Sequence, residues 1–214
     1  MRTCIVGIAG GSGCGKSTLA HHLLACFPGA SAIVELDWYY WDLAHVSMAV
    51  RERTNFDHPD ALETPRILED LRTLKAGRPV ETPCYDFSRH IRLQETRRIE
   101  PVPLIVVEGI HAMSLPDLRA LEDVSVFVDT AESVRKARRV RRDMAERGRT
   151  EEQGKWQYAE FVLPMHMTFV EPCRDQADFI ISGESDYDRT AAPLVEAIRA
   201  RLHPEQAAPS PEGN

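Results

Sequence analysis

Residues Gly10-Gly11-Ser12-Gly13-Cys14-Gly15-Lys16-Ser17 spell a complete G-x-x-x-x-G-K-[ST] loop. The apolar run Cys4-Ile5-Val6-Gly7-Ile8-Ala9 precedes it, and a helical pattern with apolar positions at Leu19, Ala20, Leu23, Leu24 and Phe27 follows. Strand, glycine loop and helix in that order form a phosphate cradle. Glycines let successive backbone N–H groups face inward, and the helix start adds partial positive charge. In such a cradle Lys16 reaches the β- and γ-phosphates of a nucleoside triphosphate, the Ser17 hydroxyl ligates Mg²⁺, and Thr18 lies beside them. Cys14 sits among the glycines. There the helix terminus and Lys16 are expected to lower its thiol pKa and leave it oxidisable.

Apolar runs alternate with helical patterns along the rest of the chain. Strands are predicted at 3–9, 32–36, 103–108, 124–129 and 178–182, and helices at 16–27, 64–76, 131–147, 151–170 and 187–202. Several strands are continuously apolar, as strands covered on both faces are. The expected architecture is α/β: a doubly wound, mainly parallel five-stranded sheet with helices on both faces and a small lid. Thr64 reads as an N-cap before Pro65, with Gly77 as the stop, and Asp129 with Glu132 reads as the cap of the 131–147 helix. Residues 38–63 and 78–101 interrupt the alternation as long unpatterned connections, which in α/β domains are often functional. Residues 1–203 read as one domain and 204–214 as a disordered tail.

Bulk properties narrow the function classes. A net charge of −7 over 214 residues argues against general affinity for nucleic acid or anionic membranes. Five cysteines form no C-x-x-C pair, and the first strand begins almost at the N-terminus, leaving no room for a targeting peptide. The expectation is a cytoplasmic protein with reduced thiols and no membrane span.

A phosphate loop alone leaves the second substrate open. Asp37 follows the second strand, where a carboxylate can accept a proton from an attacking hydroxyl or help hold Mg²⁺; the alternative is a carboxylate capping a turn. Glu108 ends the strand Leu104-Ile105-Val106-Val107 and reads as a second Mg²⁺-organising acid, or as a solvated strand-end acid. Asp57 could accept hydrogen bonds from a sugar diol, and Tyr85 and His90 could meet a base. Residues 135–149 carry Arg135, Lys136, Arg138, Arg139, Arg141, Arg142, Arg147 and Arg149 against Asp143 and Glu146. Val134, Ala137, Val140 and Met144 mark the stripe expected to be buried. A solvated face, a nucleic-acid patch without interleaved aromatics, and a lid whose arginines clamp a transferring phosphoryl group compete for this cluster.

Taken in order, these strings resemble the uridine kinase (uridine–cytidine kinase) family over about residues 3–183. The resemblance rests on the phosphate loop, Asp37-Trp38-Tyr39-Tyr40, Asn55-Phe56-Asp57-His58-Pro59-Asp60-Ala61, Tyr85-Asp86-Phe87 with His90, Val107-Glu108-Gly109-Ile110, and Arg142-Asp143 to Glu146-Arg147-Gly148-Arg149. It implies transfer of the γ-phosphoryl of ATP or GTP to the 5′-hydroxyl of uridine or cytidine. Asp37 would be the base and, with Ser17 and Glu108, a Mg²⁺ organiser. Gly10 to Thr18 with Arg142, Arg147 and Arg149 would hold the triphosphate, in a lid over about 138–157, with Lys16, Arg142 and Arg147 opposing its charge. Tyr40, Asp57, Tyr85, His90, Arg139 and Gln157 would line the nucleoside site. Homo-oligomerisation is suggested, with no nucleic-acid or membrane partner. Two rival readings remain. One is a sister kinase acting on a phosphorylated sugar or pantothenate, for which Arg51 and Arg53 are the only spare cations near Asp57. The other is a nucleotide-dependent switch, although no Asn-Lys-x-Asp guanine motif is present.

Overall fold

The computed structural model describes residues 3–203, so the tail expected at 204–214 lies outside the described residues. Seven strands form in chain order: β1 (Cys4–Ala9), β2 (Ser31–Glu35), β3 (Val80–Asp86), β4 (Ile91–Ile99), β5 (Leu104–Glu108), β6 (Val124–Asp129) and β7 (Phe179–Ser182). Five of them make one parallel sheet, as expected, and its strands lie in the order β2-β5-β1-β6-β7. The central strands β1 and β5 are buried along their whole length. Their side chains alternate between two cores. Ile5 joins Ile67, Leu71 and Val107 on one face, whereas Val6 and Ile8 join Leu19, Leu23 and Ile198 on the other. Helices on both faces therefore explain why the sequence shows continuous apolar runs rather than alternation. Among the described residues no helix is long and apolar enough to cross a membrane.

The helix Lys16–Cys26 ends before Pro28 and Gly29, and the helix Thr64–Lys75 ends before Gly77, both glycines being left-handed. The second starts one residue early, because Glu63 rather than Thr64 holds the cap position. The segment expected as one helix over 151–170 follows a continuous helical path, but two wider π turns, Tyr158–Val162 and His166–Val170, interrupt it. The last helix is split into Tyr187–Thr190 and Ala192–Leu202.

Three expectations are overturned. First, residues 78–101 are not unpatterned: β3 and β4 pair antiparallel as a separate ribbon, with an irregularity between Pro83 and Tyr85. Its second strand exposes Leu93 and polar residues to solvent on both faces, so it lacks the apolar alternation that would have revealed it. Second, the stripe expected to be buried on the helix Glu132–Glu146 is buried only in part: Val140 is buried and Val134 half-buried, but Ala137 is exposed and Met144 is 47% exposed, and Arg135, Arg139 and Asp143 are buried as well. The Arg135 and Arg139 side packs on the phosphate loop, while Val140 lies against Gly154 of the next helix. Third, Asp129 does not cap that helix. Its carboxylate pairs with Arg174 at 2.9 Å, and the Glu184 carboxylate accepts the Ala131 N–H at 3.1 Å instead.

A buried acid sits under the sheet. The Glu122 side chain has no exposure, and a Cβ on Gly7 of β1 would come within 1.9 Å of its Oε1. The bare backbone of Gly7 thus makes the space for this carboxyl group. Neither carboxyl oxygen has a hydrogen-bond partner, and the nearest cation, Arg119, is 3.6 Å away. Burial pushes the Glu122 pKa up to about 8, against the opposing pull of Arg119. A raised acid pKa means the folded state binds the proton more tightly than the unfolded state. Stability is then full below the ordinary value of 4.5 and falls as pH rises towards 8. Glu122→Gln should therefore raise the melting temperature at pH values near and above 8 and change it little near 4.5, in thermal unfolding monitored across that range. An equal effect at both ends would show that the carboxyl group is not held neutral.

Candidate active site

The phosphate loop is built around glycine geometry. Gly13 has φ +83°, and a Cβ there would meet the Arg135 carbonyl at 2.5 Å. Gly15, at φ +107°, caps the helix Lys16–Cys26. The Cys14 N–H donates to the Gly11 carbonyl at 3.0 Å, and the Cys14 carbonyl accepts the Thr130 hydroxyl at 2.8 Å. Because the loop's amides turn inward, the Cys14 side chain turns away and is fully buried beside Val128 and Ile181. The expected activation of this thiol is overturned. Burial pushes its pKa up and outweighs the lowering by Lys16 and Arg135. The Lys16 ammonium donates to the Gly11 carbonyl at 3.3 Å.

Acidic groups gather at the carboxyl ends of β2 and β5. The Ser17 hydroxyl donates to Glu108 Oε1 at 2.7 Å. Burial raises the Glu108 pKa, with Asp37 adding to the rise and Lys16 opposing it. Glu35 faces Glu108 in register across β2 and β5, and its pKa is pushed up to about 7 by burial, Glu108 and Asp37. Asp37 lies in the 3₁₀ turn Leu36–Tyr39 and accepts the Tyr40 hydroxyl at 3.1 Å. Sequence reasoning missed Glu35; an acid closing an otherwise apolar strand was the available signal. Among the described residues no three His, Cys, Asp or Glu side chains could hold a metal unaided. Mg²⁺ at phosphate sites takes one or two carboxylates and completes its shell with phosphate oxygens and water. A serine hydroxyl bonded to a buried carboxylate that lacks a full set of hydrogen bonds fits that demand.

The basic helix supplies the opposing charge. Arg139 and Arg142 both donate to the Ser12 hydroxyl, at 2.7 and 3.2 Å. Arg139 also binds Asp143 at 3.0 Å and lies 3.8 Å from Asp57. Arg147 and Arg149 reach the same Asp143 carboxylate at 3.4 and 3.0 Å. Burial and the neighbouring Arg139 and Arg142 pull the Arg147 pKa down to about 10. One nitrogen each of Arg135 and Arg142 is buried without a partner. The cluster thus carries more positive charge than its carboxylates offset, which is what a site awaiting a polyanion requires.

Two cavities flank this cluster. The first, of about 630 Å³, is lined by Lys16, Ser17, Thr18, Arg138, Arg142 and Glu146. Its far wall is the turn Gly183-Glu184-Ser185 with Tyr187, whose hydroxyl donates to the Gly15 carbonyl at 3.2 Å. Sequence reasoning missed this wall, although a polar turn after the strand beside β6 lies where α/β sheets place their ligands. The second cavity, of about 560 Å³, is lined by His90, Arg147, Arg149 and Gln157, with Met48 and Trp156 at its edge. Arg147 and Arg149 thus face the second cavity, and Arg142 the first.

The remaining candidate residues form a connected wall beside the second cavity. Tyr40 packs edge-on to Phe56 and Tyr85, and Phe56 stacks on His90 at 4.8 Å. The Tyr85 hydroxyl is buried without a partner. Burial, with Arg149, Arg147 and Arg51, lowers the His90 pKa to about 4, so its imidazole is neutral at ordinary pH. The Asp57 N–H donates to the Asn55 side chain at 3.1 Å, and the Asp57 carbonyl meets His111 Nε2 at 2.9 Å. Gln157 donates to the Glu52 carbonyl at 3.0 Å.

Residues 5–189 match the model of the phosphoribulokinase / uridine kinase family. The chain belongs to this family. It is 44% identical over 181 residues to a uridine kinase from Lactococcus lactis subsp. cremoris, an alignment spanning 84% of this chain and 88% of that one. Among solved structures it resembles the phosphoribulokinase of Rhodobacter spheroides with a TM-score of 0.64 at 14% identity, over 85% of this chain and 70% of that one. It also resembles a D-glycerate 3-kinase from Cryptococcus neoformans with a TM-score of 0.62 at 14% identity, over 86% and 88% of the two chains. At that identity the structures speak for the fold, a P-loop kinase sheet. In this family kinase Cys14 is buried whereas Cys26 and Cys84 are partly exposed. A thiol-specific reagent applied to the native protein should therefore label Cys26 and Cys84 and spare Cys14, as read by peptide mass mapping. Early labelling of Cys14 would contradict the packing under the loop.

Proposed function

We propose that this chain is a uridine/cytidine kinase, transferring the γ-phosphoryl of ATP or GTP to the 5′-hydroxyl of either nucleoside to give UMP or CMP in pyrimidine salvage. The observation that carries the proposal is the contrast between the two cavities. The first is ringed by Lys16, Arg138 and Arg142 beside the phosphate loop, whereas the second, lined by Arg147, Arg149 and Gln157, opens at His90 onto the packed rings of Phe56, Tyr40 and Tyr85. A triphosphate suits the former, and the rings at His90 offer the base of a nucleoside a partner in the latter. The 44% identity to a uridine kinase supports the same assignment.

On this reading Asp37 orients the 5′-hydroxyl and takes its proton, while the Tyr40 hydroxyl fixes the carboxylate by donating to it. Asp57 and Arg139 hold the ribose hydroxyls. Lys16, Arg142 and Arg147 oppose charge on the transferring group. Mg²⁺, when bound, neutralises β- and γ-phosphate charge; Ser17, Glu108 and Asp37 are the residues that would hold it. A neutral imidazole at His90 can present either an N–H or a lone pair, so it can meet the O4 acceptor of uracil or the N4 donor of cytosine. Of the two cations singled out for a phosphorylated sugar, Arg51 is already bonded to the Val46, Arg89 and Ala44 carbonyls. Arg53 is exposed at the cavity edge.

A panel of nucleosides, sugar phosphates and pantothenate with Mg²⁺-ATP should yield monophosphate from uridine and cytidine above all others. Preferential turnover of a sugar phosphate would overturn the assignment. Asp37→Ala should lower turnover by about 10²–10⁴-fold while leaving ATP affinity nearly unchanged. Near-normal turnover would remove Asp37 as the base. The lowered pKa of His90 gives a pH expectation with a definite sign. The neutral form persists as pH falls until about 4, so KM for uridine should show no inflection near 6.5, where an unperturbed histidine would titrate.

A further inference from the structure

Arg51 lies outside the reaction chemistry, yet it joins the two long connections that build the second cavity. Its Nε donates to the Val46 carbonyl at 2.9 Å and its Nη2 to the Ala44 carbonyl at 2.9 Å, both within its own connection. Its Nη1 crosses to the tip of the β3–β4 ribbon and donates to the Arg89 carbonyl at 3.0 Å. That carbonyl belongs to the peptide group whose nitrogen is His90. Holding it fixes the peptide plane from which the φ angle of His90 is measured.

His90 is the one non-glycine residue with positive φ among the described residues, at +54°. A left-handed conformation is unfavourable for a residue bearing a Cβ and persists only where its surroundings impose it. Three contacts do so here. Asp86 accepts the N–H groups of Ser88 and Arg89 at 2.9 and 3.0 Å, which closes the turn. Arg51 pins the Arg89 carbonyl. Phe56, from the other connection, stacks on the imidazole at 17° between planes. Of these, only Arg51 and Phe56 tie the ribbon tip to the opposite connection. The planar fork of a guanidinium can serve three carbonyls from separate directions, whereas a lysine ammonium is a single point on a flexible stem.

We infer that Arg51 is a positioning residue for base recognition: it locks the Arg89–His90 peptide so that the His90 ring is presented to the second cavity from an otherwise unfavourable backbone conformation. The inference rests on the proposed nucleoside reading for what His90 meets, but the lock itself does not.

Two measurements on Arg51→Ala and Arg51→Lys separate these claims. In steady-state kinetics Arg51→Ala should raise KM for uridine and cytidine about tenfold, on the order of one lost hydrogen-bonded contact to the base, with KM for ATP and kcat changed no more than about twofold. Arg51→Lys should show the same pattern with a smaller rise. In limited digestion with trypsin, the Arg89–His90 bond should be cut faster in both variants than in wild type, with no nucleoside present. Thermal unfolding checks that each variant is folded. Should Arg51→Ala fail to fold, Arg51→Lys carries both measurements. Unchanged nucleoside KM together with unchanged cleavage overturns the inference. A parallel rise in ATP KM also overturns it, because a general loss of structure would then explain the effect. Faster cleavage with a wild type that phosphorylates no pyrimidine nucleoside upholds the lock and rejects the nucleoside reading instead.

Discussion

One carboxylate holds the basic side of this molecule in place. Asp143 is buried on the helix that follows β6 and meets Arg139, Arg147 and Arg149. Burial alone would raise its pKa; the arginines outweigh burial and hold it below the ordinary carboxylate value. Removing a buried partner of this kind typically costs about 3–5 kcal/mol, because the charges left behind are uncompensated. Asp143 also terminates its own helix, since its carbonyl accepts the N–H groups of Arg147 and Arg149. Gly148, at φ +64°, turns the chain so that Arg149 returns to the carboxylate. One residue thus ends a helix and collects three guanidinium groups around itself.

That arrangement leaves a surplus of positive charge next to a surplus of negative charge. Asp37 raises the proton affinity of Glu35 and Glu108, and Glu108 raises that of Glu35, at the ends of β2 and β5. Lys16 lies between the two groups, close enough to Cys14 and Glu108 to shift both. Neither group is balanced within the protein. A triphosphate with a divalent cation carries both missing charges, the anion for the arginines and the cation for the acids. This complementarity follows from the family's phosphate loop and explains why Gly11 and Gly13 must let Arg135 approach so closely.

Much of this was legible in the chain itself, and the exceptions have physical causes. The central parallel strands β1, β5 and β6 announce themselves because burial on both faces demands continuous apolar runs. The β3–β4 ribbon does not, because β4 faces water from Leu93 to Arg98 and fully buries only Ile99. The basic helix is misread in part, Val140 turning inward as expected but Ala137 and Met144 not, because the rule that apolar residues point inward assumes an apolar neighbour. Here the neighbour is the phosphate loop, so Arg135 and Arg139 turn in and Met144 turns out. Cys14 misleads for a related reason. Its place in the string suggests exposure to the helix terminus, but a loop whose amides face the ligand must send side chains the other way. The donor wall at Gly183-Glu184-Ser185 carries no motif and appears only once β7 is seated beside β6.

The two cavities are also held by different means. Around the first, charged side chains contact one another and the loop: Arg139 and Arg142 on Ser12, Ser17 on Glu108. At the second, Arg147 and Arg149 face the cavity from Asp143, while the arginines of the surrounding connections act mainly on backbone carbonyls. Arg92 binds the Tyr39 and Tyr40 carbonyls, Arg66 the Glu81 carbonyl, and Arg51 the Arg89 carbonyl. A guanidinium bonded to carbonyls stiffens a polar connection without presenting its charge to the cavity. Among the rings framed in this way, Tyr40, Phe56 and Tyr85 pack together and His90 lines the cavity. The same residue type therefore gathers charge around Asp143 and the phosphate loop and braces the aromatic rings elsewhere, and the difference lies in what each fork is given to bind.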